Sequence, residues 1–182
     1  MKNLIAKLVG MYLDILGLIV PSIAAEKGFF LFCRPYRVGN NDKQRAFFNS
    51  AEKFQLNHQG YQVQGYRWGH GPKKVLFLHG WQSHTYRWKP YIEALQKDEY
   101  TIFSLDAPGH GLSSGNFLTV PLYSALIEDF IKQQGRLHTV IGHSLGGFSV
   151  LYTFYRRPSL PVERIVLLAP PGEASDFISV FQ

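Results

Sequence analysis

The chain has 182 residues, 46% of them hydrophobic, with fourteen phenylalanines and ten tyrosines, which is material for one sizeable core and too little for two full domains. Its formal charge of +6 is uneven: residues 1–45 hold seven basic and three acidic side chains and so carry +4 of it. The near-neutral remainder excludes a nucleic-acid-binding face on the main body, and the one cysteine, Cys33, excludes an internal disulfide.

The first segment, from Leu4 to Phe32, admits three readings: a signal peptide, a helix in a membrane interface, or a helix docked on protein. Lys2, Lys7, the apolar stretch from Leu8 and the small residues Ser22, Ala24 and Ala25 fit a signal. Asp14 opposes translocation and spanning, and Gly10, Gly17 and Pro21 weaken a continuous helix. Asn3, Lys7, Gly10, Asp14 and Gly17 recur at intervals of four, three, four and three, a narrow polar or small stripe on an otherwise apolar helix. This predicts a mostly buried, docked helix, with membrane-surface contact as the second reading. Cys33, read as a small buried hydrophobe, suits a reducing compartment, and the expected location is cytoplasmic.

From residue 61 the pattern alternates between strand and helix. Tyr61 to Trp68 reads as a strand, Lys73 to Leu78 as a buried strand ending at His79-Gly80, and Tyr86 to Lys97 as a helix. Next come a strand over Tyr100 to Leu105, closed by Asp106-Ala107-Pro108-Gly109-His110-Gly111, and a helix over Tyr123 to Gln134. Leu137 to Ile141 is a β-branched strand, Ser144 opens a helix, and Val162 to Leu168 is a last apolar strand. This order predicts an α/β fold, a mostly parallel sheet with helices on both faces.

Ligand sites in such sheets lie at the carboxyl ends of the strands, where LFLHGWQSH, FSLDAPGHGLS and IGHSLGG all end. Gly142-His143-Ser144-Leu145-Gly146 fits G-x-S-x-G. A serine whose Oγ must stand clear of the backbone needs a strained turn, and neighbours without side chains let strand and helix approach that closely. The five residues carry weight through their setting, between a β-branched strand and a helix, with H-G-W and D-A-P-G-H-G ending two other strands.

On these motifs the chain resembles α/β-hydrolases of the serine esterase type, and within them single-domain bacterial hydrolases with an apolar N-terminal helix. The resemblance covers about 60 to 175. It implies that Ser144 is the nucleophile and that the backbone N–H groups of Leu145 and Trp81 hold the oxyanion. Gly142, His143, Gly146, His79 and Gly80 would then support the elbow and turn, while the side chains of Trp81 and Leu145 shape the substrate pocket. The domain reading is an apolar helix and connecting segment over 1–45 and the N-terminal part of a hydrolase domain over 46–182.

The family order is serine, acid, histidine, yet all seven histidines here precede Ser144. The expectation is a chain truncated after the sixth family strand, with acid and histidine beyond Gln182. Among the residues present, His143 and His79 are read as packing or bracing groups and His138 as structural. His110 is open to a surrogate or supporting role, and Asp106 is read as holding its own turn. Glu173 and Asp176 stand where some family members place the acid. His79, His84, His110 and His143 lack metal-ligand spacing, so no metal and no cofactor are expected. The implied reaction is two-step acyl transfer on a small apolar ester or thioester, weak or absent in these 182 residues. The rival readings are a non-catalytic fragment or pseudohydrolase binding an apolar ligand or partner, and a protein that docks on membrane surfaces.

Overall fold

The computed structural model describes residues 2–37, 39–95 and 97–171. The chain falls into two compact units, Met1–Arg34 and Pro35–Gln182.

In the first unit α1 (Lys2–Ile19) and α2 (Pro21–Phe32) pack on each other. Pro21 lacks the N–H that would continue the ladder of α1, and the same lack is harmless in the first turn of a new helix. A methyl group on Gly17 would lie 3.8 Å from the Cβ of Ala24, so small residues make the interhelical contact. Lys7 and Asp14 are exposed, and so are Leu4, Leu8, Met11, Ile15 and Leu18. Of the stripe, Gly17 meets α2, and the half-buried apolar residues of the helix are Val9, Leu13 and Leu16.

The second unit is built on a six-stranded sheet in the order β1-β2-β4-β3-β5-β6. Its strands are β1 (Glu52–His58), β2 (Tyr61–Trp68), β3 (Lys73–Leu78), β4 (Tyr100–Leu105), β5 (Leu137–His143) and β6 (Val162–Leu168). The pairs among β4, β3, β5 and β6 are parallel, while β2 runs antiparallel to both its neighbours. The mostly parallel α/β sheet read from the sequence is therefore present.

Alternation along the strands assigns the two faces. In β3, Leu76 and Leu78 join one core cluster with Leu126, Ile127 and Phe130 of α5 (Val120–Gln134) and Val150 of α6 (Leu145–Arg156). Val75 and Phe77, the intervening residues, join the other, with Phe47 and Phe48 of α3 (Asp42–Asn49), Trp88, and Ile92 of α4 (Lys89–Ala94). Burying a side chain such as Leu76 or Ile92 contributes about 1.5–3 kcal/mol, so helices on both faces are what make this apolar strand stable.

Two helix starts differ from the sequence reading. Residues expected to form one helix from Tyr86 form a 3-10 turn over Thr85–Trp88 followed by α4, because Pro90 has no N–H to donate back into the first element. Conversely, α5 begins at Val120, ahead of Tyr123, since the Thr119 side chain accepts from the Leu122 N–H at 3.3 Å and Pro121 fits the first turn.

Candidate active site

Ser144 sits between β5 and α6 with φ 50° and ψ −122°, in the left-handed region that a residue with a Cβ enters at a cost of about 1–3 kcal/mol. Its N–H donates to the Leu168 carbonyl of β6 at 2.9 Å, and its own carbonyl accepts from the Phe148 N–H at 2.9 Å, which begins the ladder of α6. Close approach explains the two outer glycines. A Cβ on Gly142 would lie 2.7 Å from the Gly147 backbone, and one on Gly146 2.5 Å from the His79 carbonyl oxygen. No side chain fits either place, so the helix can turn back directly over the ends of β5 and β3.

The turn after β3 lies against this corner. A Cβ on Gly80 would stand 3.0 Å from the Ser144 Cβ and from His143 Nδ1. Trp81 follows Gly80, and Leu145 is the first residue of α6, where N–H groups lack intrahelical acceptors. Leu145 is only 6% exposed and packs in the core cluster. Trp81 packs partly buried against the same cluster, with its ring edge-on to His110 at 5.4 Å.

Two buried histidines tie the turn after β3 to the turn after β4. His79 donates from Nδ1 to the Gly80 carbonyl at 2.7 Å and accepts the Ala107 N–H on Nε2 at 2.9 Å. His110 donates from Nδ1 to the Pro108 carbonyl at 3.0 Å and accepts the Gln82 N–H on Nε2 at 3.1 Å. Burial lowers His79 to about pKa 4 and His110 to about 3, which keeps both neutral with their roles as donor and acceptor fixed. Both ring nitrogens of His79 are thus engaged with the two turns, and the Nε2 lone pair of His110 is occupied by the Gln82 N–H.

Asp106, wholly buried, holds its own turn. Its carboxylate accepts from the Thr85 N–H at 2.9 Å, the Leu112 N–H at 3.0 Å and the Tyr66 hydroxyl at 3.3 Å. The loop closes tightly on it, since a Cβ on Gly111 would lie 2.0 Å from Oδ2. His143 accepts from Arg87 Nη2 on its Nε2 at 2.6 Å, and burial together with the Arg87 charge lowers its pKa. His138 stands at the opposite end of β5 from Ser144, with Nδ1 2.8 Å from the Thr139 hydroxyl. Glu173 and Asp176 lie outside the described residues. Among those described, no group of three or more His, Cys, Asp or Glu is placed to hold a metal ion.

Sequence reasoning does not single out Arg87, Gln82, Thr85 or Tyr66. Arg87 and Thr85 lie in a segment whose only legible signal is apolar spacing, and Gln82 acts through its backbone at φ 49°, for which a glutamine gives no warning.

The sequence model of the family described as serine aminopeptidase, S33, matches residues 69–179. The chain belongs to the serine aminopeptidase S33 family. Its α/β-hydrolase architecture has counterparts among solved structures: a thioesterase domain from the curacin biosynthetic pathway superposes with a TM-score of 0.61 at 24% identity, covering 73% of this chain and 52% of that one. A serine hydrolase-like protein of Danio rerio is 34% identical over 135 residues, 68% of this chain and 39% of its own length. The dihydrolipoyllysine-residue acetyltransferase component of the acetoin cleaving system of Cupriavidus necator is 29% identical over 136 residues, 73% of this chain and 36% of its own. The chain thus spans less than two fifths of these curated relatives.

Proposed function

We propose that these residues carry the nucleophile and the oxyanion-binding groups of a serine hydrolase acting on a small apolar carboxylic ester or thioester. The observation that carries this reading is the Ser144 backbone, strained at φ 50° on a corner that two side-chain-free neighbours make sterically accessible. Strain of this kind persists where the surrounding structure enforces it, and exposing an Oγ at the head of a helix is what it achieves.

In the proposed reaction Ser144 Oγ bonds to the acyl carbon and the carbonyl electron pair moves onto oxygen. The N–H groups of Leu145 and Trp81 receive that oxyanion, the former at the positive end of α6. Collapse of the tetrahedral species expels the alcohol or thiol, and water then cleaves the acyl-serine in a second step. The Ser144 proton needs an acceptor. His79, His110 and His143 each commit Nε2 to another donor, so the proton passes to a base outside this group. The same commitments favour the second reading, an apolar-ligand binder with an assembled corner and no turnover.

Labelling tests the nucleophile. A fluorophosphonate should add once, on the peptide containing Ser144, and Ser144→Ala should carry no adduct. An adduct that survives the substitution overturns the assignment.

A further inference from the structure

The outer face of α1 presents a continuous apolar band. Leu4, Leu8, Met11, Ile15 and Leu18 recur at intervals of four, three, four and three, and each is more than half exposed, Leu18 by 87%. Ile5, Tyr12 and Ile19, each one residue further on, are 52–72% exposed and widen the row. At about 100° per residue all eight share one side of the helix. The contact with α2 runs elsewhere, through Gly17 and Ala24. From Leu4 to Ile19, sixteen residues at ~1.5 Å each make a band about 24 Å long. Apolar surface this continuous marks an interaction site.

Charge and shape select the occupant. Residues 1–34 hold four basic and two acidic side chains; Lys7, Lys27 and Arg34 are exposed alongside Asp14 and Glu26, and the net positive surplus complements an anionic surface. A second copy of the chain would bring these like charges together, and a two-helix seam needs only the narrower row of two positions per heptad. No helix among the described residues is long and apolar enough to cross a membrane. A helix with a broad apolar face, in a unit of net positive charge and with too little length or hydrophobicity to span, lies in the plane of the interface.

We propose that α1 binds the surface of an anionic phospholipid membrane, with its outer band among the upper acyl chains and Lys7 against the head groups. Such binding involves the first unit alone and does not depend on the role of Ser144.

Flotation of the 182-residue chain through a density gradient tests it, since protein aggregates do not float. The lipid is an equimolar mixture of phosphatidylcholine and phosphatidylglycerol, with pure phosphatidylcholine for comparison. The chain should float with the anionic vesicles and much less with the neutral ones. The double variant Leu8→Glu/Ile15→Glu should lower the floated fraction by about ten-fold, and Lys7→Glu should weaken binding to the anionic vesicles alone. Ser144→Ala should float like the parent chain. Equal flotation of the double variant and the parent overturns the proposal, as does absence of flotation from anionic vesicles. Self-association abolished by Leu8→Glu without any lipid binding would assign the band to a second copy instead and also overturn it.

Discussion

Arg87 Nη2 donates to Nε2 of His143 at 2.6 Å, which occupies the lone pair of the histidine adjacent to Ser144. His143 Nδ1, by contrast, is buried without a hydrogen-bond partner among the described residues. A histidine held this way supports the corner and takes no proton from Ser144. Replacing it by Gln, whose side-chain oxygen can still accept from Arg87, should therefore leave any Ser144-dependent ester cleavage within about three-fold. Loss of a general base would cost ~10²–10⁴-fold, and a loss of that size in steady-state rates would identify His143 as the base.

Space at the corner gives a stability prediction. Gly146→Ala would put a methyl group 2.5 Å from the His79 carbonyl oxygen and 2.6 Å from that of Leu78, both backbone atoms that cannot swing aside. We expect destabilisation of about 1–3 kcal/mol, read as a lower urea midpoint, together with loss of Ser144 labelling. Gly135→Ala offers a contrast: space is open there, and any cost comes from its φ of 73°.

The buried histidines predict acid sensitivity. His79 and His110 have folded pKa values lowered to about 4 and about 3 from 6.5, so between those limits the unfolded chain binds more protons than the folded one. Stability is accordingly highest above about pH 6.5 and falls as pH drops through that window, by ~1.4 kcal/mol per pH unit for each histidine left neutral in the fold. Imidazole resonances followed by NMR provide the check. Two histidines should stay neutral, protonated on Nδ1, through the range in which exposed imidazoles titrate.

Much of this arrangement is legible in the amino-acid sequence. The strands at Tyr61–Trp68, Lys73–Leu78, Tyr100–Leu105 and Val162–Leu168 coincide with the segments expected from apolar runs bounded by turns. Burial on both faces writes an unbroken apolar run into a parallel strand such as Lys73–Leu78, and glycine-rich ends mark its limits. That criterion passes over β1, although Phe54 and Leu56 alternate with polar residues and Gln59-Gly60, at φ 48° and 83°, form a two-residue hairpin turn. Half of β1 faces water, so its pattern is fainter. The hydrogen bonds of Gln82 and Ala107 to imidazoles are illegible, because they are made by backbone N–H groups that nearly every residue type carries. The outward face of α1 escapes a sequence reading for a related reason: an apolar periodicity states that a face avoids water and leaves open what covers it.

One edge of the sheet carries its own prediction. β6 pairs only with β5 among the described strands, and its Ile165 and Val166 are each 40% exposed. An apolar strand with unpaired N–H and C=O groups invites pairing with another chain. Sedimentation velocity should show concentration-dependent association of the 182-residue chain, reduced by Ile165→Lys. A monodisperse monomer at every concentration would show that the edge is protected.

Ester turnover with and without added imidazole puts the account of Ser144 to its most direct test. A site with an assembled nucleophile and oxyanion donors but no free internal base should hydrolyse p-nitrophenyl butyrate weakly, with a Ser144-dependent component that added imidazole raises. Residual catalysis of ~10³–10⁴ over water is what such a site retains where its remaining parts are in place. The predicted result is a rate above that of Ser144→Ala at each imidazole concentration, with the difference growing as imidazole is added. Identical rates for the two proteins, or robust Ser144-dependent turnover without imidazole that collapses in His110→Gln, would contradict the account.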